Sequence, residues 1–346
     1  MAALTESTIA EIAPQPVGNI AFTQTISREL AHKRRLENVY ITSVSQVSNN
    51  QFVCGAFVPL ANMYLNEMRA APGDMALTII EIGRQAGIAI CHQYLGVPST
   101  HAFVLHDVRF TATAAYAAAD WTTDDMLAVK TTVVDHASSE HGTRTTLCGE
   151  SEFVLGDKCI GRLSVTGIIQ SAERYQRLRK LTLTRRLRSD KSLPQPEPQQ
   201  IGLWLQTIFP AKRPVLGEVL WMNHGGSVFT TTLQVDRTNR FFFDHENDHV
   251  PGMLILEGLR ELAHDVALRF NRPPARHAVP RAPVGDISIS FKSFAELDQP
   301  VELVAHVKPN LAAKGQSLVI ELHARQGIDV VAQAVAVVDW VIQGAQ

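Results

Sequence analysis

The four cysteines (Cys54, Cys91, Cys148 and Cys159) are scattered with no CxxC pair, so neither a zinc knuckle nor a redox dithiol has ligands at the right spacing. They read as reduced and structural. No segment approaches the ~20 consecutive apolar residues of a membrane-spanning helix. The stretch from Met1 to Pro16 lacks a basic region followed by an apolar run, so a cytoplasmic protein without a membrane role is expected. Excess charge is missing as well. A formal charge of −2 over 346 residues leaves no surplus of cations for holding nucleic acid. Folding needs no metal or disulfide, because a chain of this length with 45% hydrophobic residues can build two cores of ordinary size.

The composition breaks once, between about Ser171 and Gln200: a basic stretch from Arg174 to Arg188 is followed by the proline-rich run SLPQPEPQQ. The proline part must be extended. The basic part is either a helix or a continued strand; as a solvated surface segment its arginines can still attract acidic partners. Residues 171–200 are therefore read as a linker between units at 20–170 and 201–343.

The two units repeat one order of events. Each opens with a basic tag and a β-rich run, HKRRLENVYIT (His32 to Thr42) and AKRPVLGEVLWM (Ala211 to Met222). A second β-rich run follows, QFVCGAFVPL and SVFTTTLQV, and then a proline or glycine break leads into a helix. The helices are predicted from Asp74 to Gly96 and from Pro251 to Phe270, with Glu81 and Glu257 offset by 176 residues. After each come alternating segments of strand character, HAFVLHDVRF, MLAVKTTVV and GRLSVTGII in the first unit, GDISISFKSF, VELVAHV, SLVIELHA and VAQAVAVVDWVI in the second. A helix apolar on nearly all sides must be wrapped by the sheet that follows it. The predicted class is α+β: tandem hotdog repeats, each a long central helix in an antiparallel sheet, paired as a pseudo-two-fold double hotdog.

Each helix carries one carboxylate among apolar neighbours, Glu81 and Glu257, with an arginine three residues on, Arg84 and Arg260. Desolvation raises such a carboxylate's pKa toward the range useful for proton transfer, and the arginine pulls it back. A charged pair on a core helix usually costs stability, so its recurrence points either to chemistry or to an ion pair that closes the helix against the other unit. Function is favoured at Glu257 because the loop before it, FFFDHENDHVPGM, gathers Asp244, His245, Asp248 and His249 ahead of Gly252 and Met253. The first amides of a helix suit a carbonyl oxygen or phosphate, and Gly252 permits close approach. The first unit has only APGDM, so unequal sites are expected. Pro251-Gly252 places His245 and His249 before the helix and off its face, which argues against a metal site and leaves a polar active-site rim or a structural loop held by Asp and His hydrogen bonds. The tags, Lys33-Arg34-Arg35 and Lys212-Arg213, offer phosphate contacts or guard an exposed sheet edge.

These residues resemble the A-factor (gamma-butyrolactone) biosynthesis family of tandem hotdog proteins. The resemblance rests on Glu81-Ile-Gly-Arg84-Gln85-Ala86-Gly87 with His92 and Gly96-Val97-Pro98, and on Phe243-Asp244-His245 through Asp248-His249-Val250-Pro251-Gly252-Met253 to Glu257. It covers about Phe22 to Trp340. It implies transfer of a β-ketoacyl group from acyl carrier protein to the hydroxyl of dihydroxyacetone phosphate, with Glu81, Arg84, Glu257 and Arg260 matching the family's proposed functional residues. Glu257 would take the hydroxyl proton, the Gly252 and Met253 amides would hold the oxyanion, and Arg260 would orient the glutamate or clamp phosphate. No redox or metal cofactor is implied, and a homo-oligomer is compatible with the pattern. The tags depart from it: His32-Lys33 stands where His-Arg is commoner, and Ala211-Lys212-Arg213-Pro214 where an Arg-Asp-Pro run is frequent, which bears on acceptor identity. Two rivals are kept, a hotdog dehydratase or thioesterase and a non-catalytic acyl- or lactone-binding protein.

Overall fold

The computed structural model describes residues 20–60, 62, 74–121, 126–138, 144–189, 215–221, 227–270, 278–280, 286–307 and 317–342. The second tag, Lys212 and Arg213, and the proline-rich run lie outside these residues.

The first unit runs β1 (Ile41–Gln46), β2 (Gln51–Phe57), α1 (Ala76–Tyr94), β3 (Ala102–Ala112), the short α2 (Ala114–Ala117), β4 (Met126–Ser138), β5 (Arg144–Leu155) and β6 (Lys158–Gln170). A further helix, α3 (Ala172–Ser189), follows, so the basic stretch is helical. The second unit runs β7 (Leu220–Trp221), β8 (Val228–Thr232), α4 (Gly252–Phe270), β9 (Ala278–Pro280), β10 (Asp286–Phe291), β11 (Glu302–Val307), β12 (Ser317–Gln326) and β13 (Asp329–Ile342).

One antiparallel sheet threads both units in the order β1-β2-β4-β5-β6-β3-β10-β13-β12-β11-β8-β7, with β9 paired to β13. The second half of that order is the first half reversed, element for element. The pseudo-two-fold axis therefore passes through the β3–β10 seam, where Arg109 stands opposite Ser288. By pairing β3 with β10, each unit covers an edge the other would leave open. Pairing across the seam makes the two hotdog units halves of one sheet.

Each long helix packs on the strands of its own half, and burial of its apolar sides against the sheet holds it there. In α1 the buried positions run from Ala76 to Cys91, interrupted only at Arg84 and Gly87. In α4 they run from Met253 to Ala263 without interruption. The helix α1 ends where Gly96 takes φ +66° and the Val97 amide donates to the Cys91 carbonyl at 3.1 Å, a left-handed stop that glycine makes without strain.

Candidate active site

The two Glu-Arg pairs look alike along the sequence and differ in their third partner. Glu81 is 1% exposed. It accepts bonds from Arg84 Nε (2.8 Å), Arg84 Nη2 (2.9 Å) and Gln85 Nε2 (2.9 Å), and pairs with Lys33 Nζ at 2.9 Å. Burial alone would raise its pKa. The charges of Arg84 and Lys33, with the hydrogen bonds from Arg84 and Gln85, outweigh that and hold it well below the usual carboxylate range.

Glu257 is equally buried and takes the same two bonds from Arg260 Nε (2.8 Å) and Nη2 (2.9 Å). Its pair is completed by an acid: Arg260 Nη1 and Nη2 donate to Asp74 at 3.0 and 2.7 Å. All three nitrogens of Arg260 are thus engaged inside the core. The Arg84 bonds use Nε and Nη2, and its side chain keeps 21% of its surface.

A cavity of about 1420 Å³ touches one pair only. Lys33, Glu81, Arg84 and Gly87 line it, together with Asp244, His245, Asp248, His249, Gly252 and Met253 from the second unit. The four loop residues and the α4 N-terminus thus face α1 of the first unit across the pseudo-axis. Among the described lining residues, Glu257 and Arg260 do not occur. The rest of the wall includes Phe103, Leu105, Leu147, Val165 and Ile168, an apolar channel beside a charged end.

The charged end is built by contacts distant in sequence. Asp244 accepts from the amides of Arg34 (2.6 Å) and Arg35 (3.2 Å) and from Asn38 Nδ2 (2.8 Å), so the loop of one unit clamps the tag of the other. Burial raises its pKa, but His245, the Arg34 amide, Asn38 and Lys33 bring it down to about 2. Gln85 ties the tag to α1, donating to the Asn38 carbonyl at 2.8 Å and accepting from the Tyr40 amide at 3.0 Å. Just before Lys33, His32 takes φ 52°, a left-handed conformation that a side-chain-bearing residue rarely adopts. Its ring stacks on His92 with centroids 4.8 Å apart. Burial and the neighbouring His92, Arg84 and His245 lower its pKa to about 4, so it is neutral at pH 7.

Asp248 and His249 meet α3. Arg179 donates to Asp248 at 2.9 Å and to Glu296 at 2.9 and 2.7 Å, and the Tyr175 hydroxyl donates to Asp248 at 2.8 Å. Along α4 the first bond starts at the Leu254 amide, donated to the Pro251 carbonyl at 3.0 Å. Gly252 and Met253, whose amides make none of the described bonds, are among the residues that line the cavity. Among the described residues no three His, Cys, Asp or Glu side chains group to hold a metal ion.

The sequence offers Lys33 as a phosphate contact and Gln85 as part of a motif, but not the contact of Lys33 with Glu81 or the parts played by Asn38, Asp74 and Arg179. An acid just before α1 was the available signal for Asp74. Nothing local signals the Lys33–Glu81 contact.

The sequence model of the AfsA family, the A-factor biosynthesis hotdog domain, matches residues 15–171 and 218–341. A 2-oxo-3-(phosphooxy)propyl 3-oxoalkanoate synthase of Streptomyces virginiae is 26% identical over 83% of this chain and 89% of its own. A protein of the same name from Streptomyces coelicolor is 25% identical over 82% of each chain. Among solved structures, an acyl-CoA thioesterase II TesB2 from Mycobacterium marinum covers 92% of this chain and 99% of its own, at 9% identity and a TM-score of 0.46. Among the described residues no helix is long and apolar enough to cross a membrane. The two synthases match most of the chain, and this protein is an enzyme of their type. With both halves matched by one family model, the chain belongs to the A-factor biosynthesis hotdog domain family.

Proposed function

We propose that the protein transfers a β-ketoacyl group from a thioester, carried on acyl carrier protein, to the hydroxyl of dihydroxyacetone phosphate. The product is the 2-oxo-3-(phosphooxy)propyl 3-oxoalkanoate for which the Streptomyces relatives are named. One observation carries this reading: a single cavity joins an apolar channel to a carboxylate flanked by Lys33 and Arg84 and to a helix start, Gly252 and Met253, whose amides make none of the described bonds. The acyl chain occupies the channel. The acceptor's phosphate meets Lys33, the open side of Arg84 and His245.

Glu81 is the general base. In the free enzyme its two cations hold it ionised and weakly basic. An incoming phosphate draws on the same cations, and Glu81 regains basicity as its counter-charge is shared. It then takes the acceptor's hydroxyl proton as the oxygen attacks the thioester carbon. The Gly252 and Met253 amides hold the oxyanion, the C–S bond breaks, and the proton passes to the departing thiolate. Asp244 and Asn38 position the tag that delivers Lys33. The base is assigned to Glu81 over Glu257 because the cavity reaches the first pair.

The test is mass spectrometry of purified protein incubated with a β-ketoacyl thioester, with and without dihydroxyacetone phosphate, alongside Glu81→Gln. A phosphorylated ketoester that requires the acceptor and vanishes in the variant is expected. Thioester loss without acceptor would instead identify a hydrolase or dehydratase. Saturable acyl binding with no turnover would identify a binding protein.

A further inference from the structure

The helix α3 is more exposed and more basic than a connector needs to be. Its 18 residues carry seven arginines and lysines against one carboxylate, Glu173. Ser171 starts it, its hydroxyl accepting from the Arg174 amide at 3.4 Å, and alanine, leucine, lysine and arginine favour its continuation. Only Arg179 among its described residues is buried; through Asp248 and Glu296 it fastens the helix to the loop that borders the cavity. Around that anchor the apolar groups face outward: Leu181 is 69% exposed, Leu183 41% and Leu178 40%. Leu178 and Leu181 also line the cavity, so an exposed apolar stripe runs directly into the channel. Arg177 and Lys180 stand exposed beside it. The nearest acid to Arg177 is Glu173 at 3.7 Å, in a solvent-exposed pair too weak to neutralise the helix.

From this juxtaposition we infer that α3 is a docking ledge for an acidic acyl carrier protein, which seats on the arginine and lysine face and passes its thioester arm over Leu178 and Leu181 into the cavity. This rests on the acyl-transfer reading above and names the surface through which the donor arrives. Complementary charge selects the partner: a strongly cationic helix attracts an acidic surface over the Debye length and fixes its register. A partner that must thread an arm into the cavity gains from docking at the lip. An anionic bilayer, the other surface a cationic helix could meet, has no arm to deliver.

The full chain and its Arg177→Glu/Lys180→Glu variant are compared for binding to a fluorescently labelled holo-acyl carrier protein by anisotropy. Separately, turnover of a β-ketoacyl-pantetheine, which has no protein to dock, is measured with acceptor. Arg177 and Lys180 do not border the cavity. The variant is expected to bind the carrier about tenfold or more weakly, with pantetheine-thioester turnover within about twofold of the parent. Raising the salt should weaken carrier binding by the parent and leave the small thioester unaffected. Equal carrier binding by parent and variant, or binding insensitive to salt, overturns the ledge. So does sedimentation of the parent, and not the variant, with phosphatidylglycerol vesicles while carrier binding is unchanged. Failure of the parent to turn over the small thioester counts against the acyl-transfer reading, whereas the binding measurement judges the ledge independently.

Discussion

Replacing Glu257 by glutamine separates the two buried pairs most sharply. Glu257 accepts two bonds from Arg260, at 2.8 and 2.9 Å, in a core where it is 1% exposed. Glutamine keeps the shape but turns one acceptor into an NH₂ that faces Arg260's own donors. Breaking a buried pair on one side costs about 3–5 kcal/mol. Asp74 still neutralises the guanidinium through two bonds, so the lower end, about 3 kcal/mol, applies here. At roughly 2–4 °C per kcal/mol the melting temperature should fall by about 6–12 °C. Activity, assayed well below that melting point, should stay within about threefold of the parent, because the cavity does not reach Glu257. Asp74→Asn should behave in the same way. Scanning calorimetry and initial rates on the same preparations decide the matter. A Glu257→Gln enzyme that melts like the parent and loses about a hundredfold in turnover would refute the assignment of this pair to structure.

Three further outcomes follow from the same geometry. Gly87 borders the cavity with open space around the position of an added Cβ, and its pseudo-symmetric counterpart is Ala263. Gly87→Leu should therefore raise stability by up to about 1 kcal/mol through helix propensity and shift acyl preference toward shorter chains, read from competing thioesters of graded length. Lys33→Met should raise the apparent KM for the phosphorylated acceptor about tenfold or more while leaving that for the thioester nearly unchanged, since a methionine fills the space without the charge. Asp244 ionises near pH 2 in the folded protein and near 3.8 in the unfolded chain. Between those values the unfolded state binds more protons, so its contribution of about 2 kcal/mol is full above pH 4 and lost as pH falls toward 2. Asp244→Asn should flatten that part of the melting-temperature profile.

The helices are legible because each is a long, almost wholly apolar run behind a proline or glycine break: the sequence predicts Asp74 to Gly96 and Pro251 to Phe270, and Ala76–Tyr94 and Gly252–Phe270 are found. Strand β5 was missed for a reason that bears on function. Along its inward face Leu147, Gly149 and Ser151 precede Phe153, and the first three line the cavity. Small and polar residues leave that volume open and erase the alternation that marks a buried strand. The basic segment gave a mixed signal because α3 is held by one buried arginine, Arg179, so no apolar stripe records its contact face. The Glu-Arg pairs were visible as local spacings. Their third partners were not, since Lys33 reaches Glu81 from 48 residues away and Asp74 reaches Arg260 from 186.

That third partner explains how one duplicated pair can serve two ends. A carboxylate and a guanidinium three residues apart on a buried helix form a neutral unit, and the next charge decides what the unit can do. Lys33 gives the Glu81-Arg84 pair a net positive charge that Asp244 beside it partly offsets, and the Arg84 side chain, which lines the cavity, keeps 21% of its surface. Asp74 makes the second cluster anionic and, together with Glu257, engages every nitrogen of Arg260, so a phosphate would meet repulsion and few free donors. Gly87 against Ala263 repeats the contrast in volume, with open space beside one helix and unbroken burial along the other. The loop with the richer chemistry, Asp244 to Met253, belongs to the second unit yet faces the first across the pseudo-axis. Reading each unit alone assigns that loop to Glu257, its neighbour in sequence. With β3 paired to β10, the loop lines the same cavity as Glu81.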